Sequence, residues 1–198
     1  MKIISEKEIE EIRKIKGRAR GMAIKGEAEF IFHEKGKEGL EKLESEMAKL
    51  GCPVEYKKLK VMSFYPIQYE IFTTLILEKV FNFKDEDFRR GGVFESKISF
   101  IVRMFIQYFY SVKAMAKQAP NMWMKYYDVG KMTVSEFDEE KRQARLRIED
   151  FYNHPCHCRT LEGFIGGLVK MITKSEVTCQ EIKCIHKGDD YHEFLIKY

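Results

Sequence analysis

Near residue 130 the apolar residues of this 198-residue chain change their spacing, and few folds accommodate the change. Before that point they recur every three or four positions, as in Ile9, Ile12 and Ile15, then Leu40, Leu43, Met47 and Leu50, then Ile67, Ile71, Leu75, Ile76 and Val80. That period lays one apolar stripe along a helix. Beyond it the period falls to two: Met132 and Val134, then Ala144, Leu146 and Ile148, alternate with polar residues as in a strand buried on one face. Helical stripes followed by one-faced strands can share a core only if the helices cover the sheet. The expected class is therefore α+β, a helical N-terminal part packed on a mainly antiparallel C-terminal sheet.

Local signals set the expected elements. Ser5 with Glu8 three residues on starts a helix over 5–16, and Gly17 and Gly21 end it. Residues 27–33 read as a strand between Gly26 and Gly36, and 39–50 as a helix closed by Gly51. Pro66 opens a buried helix that runs to Val80. A shorter helix over 83–90 is expected to stop at Gly91-Gly92, and a long one over 96–117 carries Ile98, Ile101, Val102, Phe105, Phe109, Val112 and Met115 until Pro120 bars it. A hairpin around Asp138-Glu139-Glu140, a helix over 160–172 and a second hairpin built from 176–186 and 191–198 complete the chain. No repeat or linker interrupts it, so one domain over 1–198 is expected, with a helix and strand region over 1–65 and the remaining helices, hairpins and metal motif over 66–198.

Charge narrows the partners. The 35 Lys and Arg are nearly matched by 31 Asp and Glu, interspersed along the chain, and a net +4 is too mild to make nucleic acid the default partner. No stretch has the roughly 18 consecutive apolar residues of a membrane span, and the N-terminus lacks the apolar core of a signal peptide, so a cytoplasmic protein with no membrane partner is expected. The five cysteines are an odd number, and four of them fall between Cys156 and Cys184. That clustering suits a metal better than a disulfide framework.

Cys184 and His192 stand symmetrically about Gly188. With Gly188 at a turn they face one another across an antiparallel pair, where Cβ atoms lie roughly 4.5 to 5.5 Å apart, near enough to share an ion. A further thiolate can come from the His154-Pro155-Cys156-His157-Cys158 cluster ahead of the 160–172 helix. Glu181 precedes Cys184 by three residues and in a regular strand points to the other face, so it joins only if a bulge re-aims it. Cysteine, histidine and carboxylate together match the ligand preferences of zinc.

The stretch from Cys158 to Phe194 resembles the vinyl-4-reductase-like domain. It has a cysteine, a helix bearing Gly163, Gly166 and Gly167, and then Glu-x-x-Cys-x-x-x-Gly-x-x-x-His-x-Phe. That domain occurs in stand-alone archaeal and bacterial proteins and in the sensor modules of phenol- and toluene-responsive activators. The resemblance implies a structural zinc on Cys158, Glu181, Cys184 and His192, the last standing where the family has cysteine. Cys156, Cys179, His154, His157 and His186 are the substitute ligands. Four protein ligands including two thiolates imply a closed site rather than a catalytic one. Upstream of Asp138 the likeness is only an order of elements.

Met104, Phe105, Tyr108, Phe109, Tyr110, Met115, Met122, Trp123, Met124, Tyr126 and Tyr127 supply aromatic and thioether surface that can line a pocket, or equally a core or dimer face. The related phenol sensors enclose aromatic ligands, and the wider superfamily of haem-based nitric-oxide sensors and vesicle-tethering subunits holds haem or acyl chains. The resemblance thus implies a sensor that binds a small hydrophobic or aromatic molecule, acting as a homodimer or through a partner. A metal-dependent reductase or hydrolase and a structural interaction protein are the alternatives. No Gly-x-Gly-x-x-Gly follows a strand, which leaves hydride chemistry without support. His33 reads as a structural residue, not a haem ligand.

Overall fold

A computed structural model describes residues 4–99, 102–103 and 111–198. It is α+β, with helices packed on an antiparallel sheet as the apolar spacing predicts. Helix α1 (Glu6–Lys14) begins at Ser5, whose hydroxyl accepts the Glu8 N–H while the Glu8 carboxylate takes the Ser5 N–H, a complete capping box. Strands β1 (Arg18–Arg20) and β2 (Phe64–Pro66) pair antiparallel and bracket helix α2 (Gly21–Lys49). Helix α3 (Gln68–Lys79) lies in the interior with Ile71, Phe72, Leu75 and Ile76 almost fully buried. Helices α4 (Asp85–Ile98) and α5 (Val112–Tyr126) follow. The sheet is built from β3 (Lys131–Asp138), β4 (Gln143–Glu149), β5 (Thr178–Lys183) and β6 (His192–Lys197), with helix α6 (His157–Thr173) between its two hairpins. Its strand order is β3-β4-β6-β5, and β4 buries every second residue, Ala144, Leu146 and Ile148.

Three expectations fail for physical reasons. Residues 27–33 are helical, part of α2, which buries Ile24, Ala28, Phe30 and Ile31 and bends at Gly36, where φ is 66°. Seven residues of mixed apolar and polar character satisfy a strand and a helix template equally, and packing against α3 and α4 settles the matter. Gly91 and Gly92 do not stop α4 but lie inside it. A Cβ on Gly92 would fall inside the van der Waals radius of the Thr160 carbonyl, and one on Gly163 inside that of Arg89, so these glycines let α4 and α6 touch backbone to backbone. Pro120 lies within α5, whose start is fixed by the Ser111 hydroxyl accepting the Ala114 N–H at 3.1 Å. The expected helix over 96–117 is broken after Ile98 by extended backbone at Ser99. Of its apolar set, Ile101, Phe105 and Phe109 lie outside the described residues, as do Met104, Tyr108 and Tyr110 of the aromatic and methionine run. No helix among the described residues is long and apolar enough to cross a membrane.

Candidate metal centre and adjoining cavity

The two arms of the last hairpin pair as Glu181 with Phe194 and then, past a bulge, Lys183 with Glu193. The bulge falls at Ile182 and brings Glu181 to the same face as Cys184. The hairpin closes through a 3₁₀ turn over Ile185–Lys187 and Gly188, whose φ of 94° suits only glycine comfortably. His192 opens β6, and Cys158 is the second residue of α6. The structure thereby gathers Cys158, Glu181, Cys184 and His192, with one ligand atom of each inside a 4.8 Å sphere of mutual distance and all four residues buried.

The spacings are those of donors round a common centre. Cys158 Sγ lies 3.9 Å from Cys184 Sγ and 3.6 Å from His192 Nδ1, which is 2.9 Å from Glu181 Oε1. A tetrahedral ion with metal–sulfur bonds of about 2.3 Å holds its sulfurs roughly 3.8 Å apart. His192 Nε2 is 3.3 Å from the Phe151 carbonyl, which accepts its N–H, and Nδ1 is the ring nitrogen that faces the other three donors. Burial, with Glu181 next in effect, pushes the Cys158 thiol far up, and burial likewise raises Cys184. Burial also acts to raise Glu181, but hydrogen bonds from His192, Cys158, Cys184 and then the Arg159 charge carry it below the usual carboxylate range.

Arg159 ties this centre to the rest of the fold. Its guanidinium donates to Glu181 Oε2 at 2.5 Å and to Glu162 Oε1 at 2.8 Å, while Arg89 of α4 donates to Glu162 Oε2 at 2.8 Å. Glu162 Oε1 also accepts the Glu181 N–H at 2.7 Å. The substitute ligands go elsewhere. His154 and Cys156 group with Glu78, His157 turns to a cavity, Cys179 packs on Gly166, and the His186 ring sits 5.7 Å from the His192 ring without joining the four. His33 lies on the surface against Glu34.

On the other side of α6 lies a largely apolar cavity of about 180 Å³. Met22 and Ala23 of α2, Met115, Met122, Trp123 and Tyr126 of α5, Leu146 of β4 and Phe164, Ile165 and Leu168 of α6 form its wall. Of the aromatic and methionine residues singled out in sequence, Met115, Met122, Trp123, Tyr126 and Tyr127 reach it, and Met124 faces solvent. Trp123 donates its indole N–H to the Val129 carbonyl at 2.9 Å. Sequence reasoning missed Glu95, and His157, named there only as a substitute metal ligand, lines the cavity. His157 opens α6 and contacts Tyr127, whose hydroxyl donates to Glu70 at 2.8 Å. Burial, with the neighbouring histidines adding to it, lowers His157 to about 3 and keeps it neutral.

No family model and no curated protein matches this chain. Solved structures do share its fold. An H-NOX protein from S. oneidensis in the Fe(II)NO ligation state superposes with a TM-score of 0.69 at 12% identity, over 90% of this chain and 98% of that one. Unliganded Fe(II) H-NOX from K. algicida gives 0.64 at 10% identity over 90% and 95%. A structure described as "Modulating Heme Redox Potential Through Protein-Induced Porphyrin Distortion" gives 0.59 at 11% over 90% and 99%. These likenesses establish the H-NOX fold for this chain. They also overturn zinc as the expected cofactor, because the metal named with this fold is iron, and the four gathered side chains identify a donor set without identifying an ion.

Haem can be tested against the residues present. An iron porphyrin needs an axial ligand open to approach, and partners for its two carboxylates. His157 is the histidine of the described wall, but its Nε2 lies against Tyr127 and its Nδ1 is shut in. The ionisable wall residues are Lys25, Glu29 and Glu95, which offer one cation where two carboxylates need partners. The described residues do not fit haem.

Proposed function

We propose that this chain is a single-domain sensor module of the vinyl-4-reductase-like type. It admits a small hydrophobic or aromatic molecule to the cavity and fixes the cavity wall with a metal-clamped hairpin. The observation that carries this reading is the first turn of α6, where consecutive residues serve the two sites: His157 lines the cavity and Cys158 joins the donor cluster. An ion gripping Cys158 to Glu181, Cys184 and His192 would hold the start of α6 against the last hairpin. A ligand that moves α6 would in turn be felt at the hairpin.

The donor arrangement supports a bound transition-metal ion. His192 Nδ1 and Glu181 Oε1 lie 2.9 Å apart, a separation that a shared proton holds and that a metal ion taking both as ligands would replace. With four protein ligands the ion would be closed off and structural. Thiolate donors favour a soft or borderline metal over calcium or magnesium. The module is expected to act as a homodimer.

Cobalt(II) added to chelator-treated protein should bind as a single ion and give thiolate-to-cobalt absorption in the near ultraviolet, lost in Cys184→Ser. Absence of that band in native protein defeats the metal assignment. For the cavity, neutral phenols and fatty acids should raise the melting temperature, since a ligand bound only by the folded state stabilises it. They should also change the emission of Trp123, the only tryptophan in the chain. Indifference of both readouts to both classes overturns the sensor reading.

A further inference from the structure

Three polar atoms on or behind the cavity wall are shut in without a hydrogen-bond partner: Glu95 Oε1, Glu27 Oε2 and His157 Nδ1. All are acceptors. Tyr127 gives its proton to Glu70, so its oxygen is left to accept from His157 Nε2 at 3.4 Å, and Nδ1 keeps a bare lone pair. Glu27 is 4% exposed, and its other oxygen accepts from the Thr74 hydroxyl at 2.7 Å. It follows Gly26, a wall residue on which the Glu95 carboxyl rests so closely that a Cβ there would meet Glu95 Cδ at 2.7 Å. Glu70 completes a group of three interior carboxyls, satisfied on both oxygens by Tyr127 and Asn153.

Such acids normally face a lysine or arginine. Among the described residues none forms an ion pair with Glu27, Glu70 or Glu95, although surface carboxylates such as Glu34 and Glu136 have theirs. Burial, and then Glu70, raises Glu27 well above the usual range, and burial, and then Glu27, does the same to Glu95. The described wall thus holds unanswered polar atoms, and its one cation, Lys25, forms no ion pair with Glu27, Glu70 or Glu95. A ligand that supplies positive charge and N–H groups would answer them.

We propose that the cavity selects an apolar amine, its protonated nitrogen taken by Glu95 with Glu27 behind and its aromatic or aliphatic body lying against Trp123, Tyr126 and Phe164. This rests on the reading that the cavity binds a small molecule, and adds the chemistry of the head group.

Three probes that share one body test it: 4-phenylbutylamine, 4-phenylbutanol and 4-phenylbutyrate, titrated against Trp123 fluorescence. The amine should bind about tenfold or more tighter than the alcohol, as a charge-assisted hydrogen bond implies, and the carboxylate should be weakest. Glu95→Gln should erase the preference for amine over alcohol and leave alcohol affinity within about twofold. Glu27→Gln should reduce the same preference, and it stands as the second variant if Glu95→Gln fails to fold. Equal binding of alcohol and amine overturns the head-group assignment and leaves the sensor reading standing, as does unchanged amine preference in both variants. If no probe binds native protein, both fall.

Discussion

The two faces of α6 bury polar groups in opposite ways. Towards the hairpin, Glu181 and Glu162 lie inside a ring of donors, with Arg159 reaching both and Arg89 reaching Glu162. Towards the cavity, Glu27 is buried and Glu95 partly so, and neither forms an ion pair among the described residues. In the first arrangement hydrogen bonds and then the Arg159 charge hold Glu181 ionised, whereas the second drives Glu27 and Glu95 towards protonation. Burial alone therefore does not fix a carboxyl's charge; its neighbours do.

The largest test removes the pairing. Arg159→Met leaves Glu181 and part of Glu162 buried without their cation and should cost about 4 kcal/mol in urea unfolding. A loss under about 1 kcal/mol would mean that the ring is water-screened after all. Next, Gly163→Ala forces a methyl into the α4 backbone and should cost about 3 kcal/mol, with the loss falling on the cavity side as weaker probe binding. Retention of full stability would show that α4 and α6 can part freely.

The effect of Cys184→Ser depends on metal. It should cost about 2 kcal/mol in metal-loaded protein and less than about 0.5 kcal/mol after chelation. Equal losses in both states would remove the ion from the comparison. The smallest effect is a gain. The folded state holds Glu27 protonated above its unfolded pKa near 4.5, so it binds the extra proton and stability falls as pH rises from there. Glu27→Gln should stabilise by about 1 kcal/mol at pH 8 and change little at pH 4. Glu70, raised by burial to about 7 despite hydrogen bonds from Tyr127 and Asn153, adds to the same fall towards neutrality. Identical pH profiles for native and variant protein would show that water reaches the carboxyl.

Several features of the two regions were legible in different degrees. The four donors could be named because turn symmetry about Gly188 and the spacing of a known motif both act within a short stretch, and the bulge needed to re-aim Glu181 is present. Whether an ion sits there is for the cobalt titration to decide. The aromatic run from Met115 to Tyr127 marked a wall of the cavity, but Glu95 and His157 carry no local signal. Glu95 reads as one more charged helix residue, and His157 as one of a histidine and cysteine cluster.

Short-range physics determined much from the sequence alone: the α+β class, the capping box at Ser5, both hairpins and the turn at Gly188 follow from period, capping and φ. Tertiary structure decided whatever depends on residues far apart in the chain. It made 27–33 helical, turned Gly92 from a stop into a contact, and placed Glu27, Glu70 and Glu95 together. Local propensity is set by the nearest few residues, while burial and charge are set by neighbours that only the folded chain brings near.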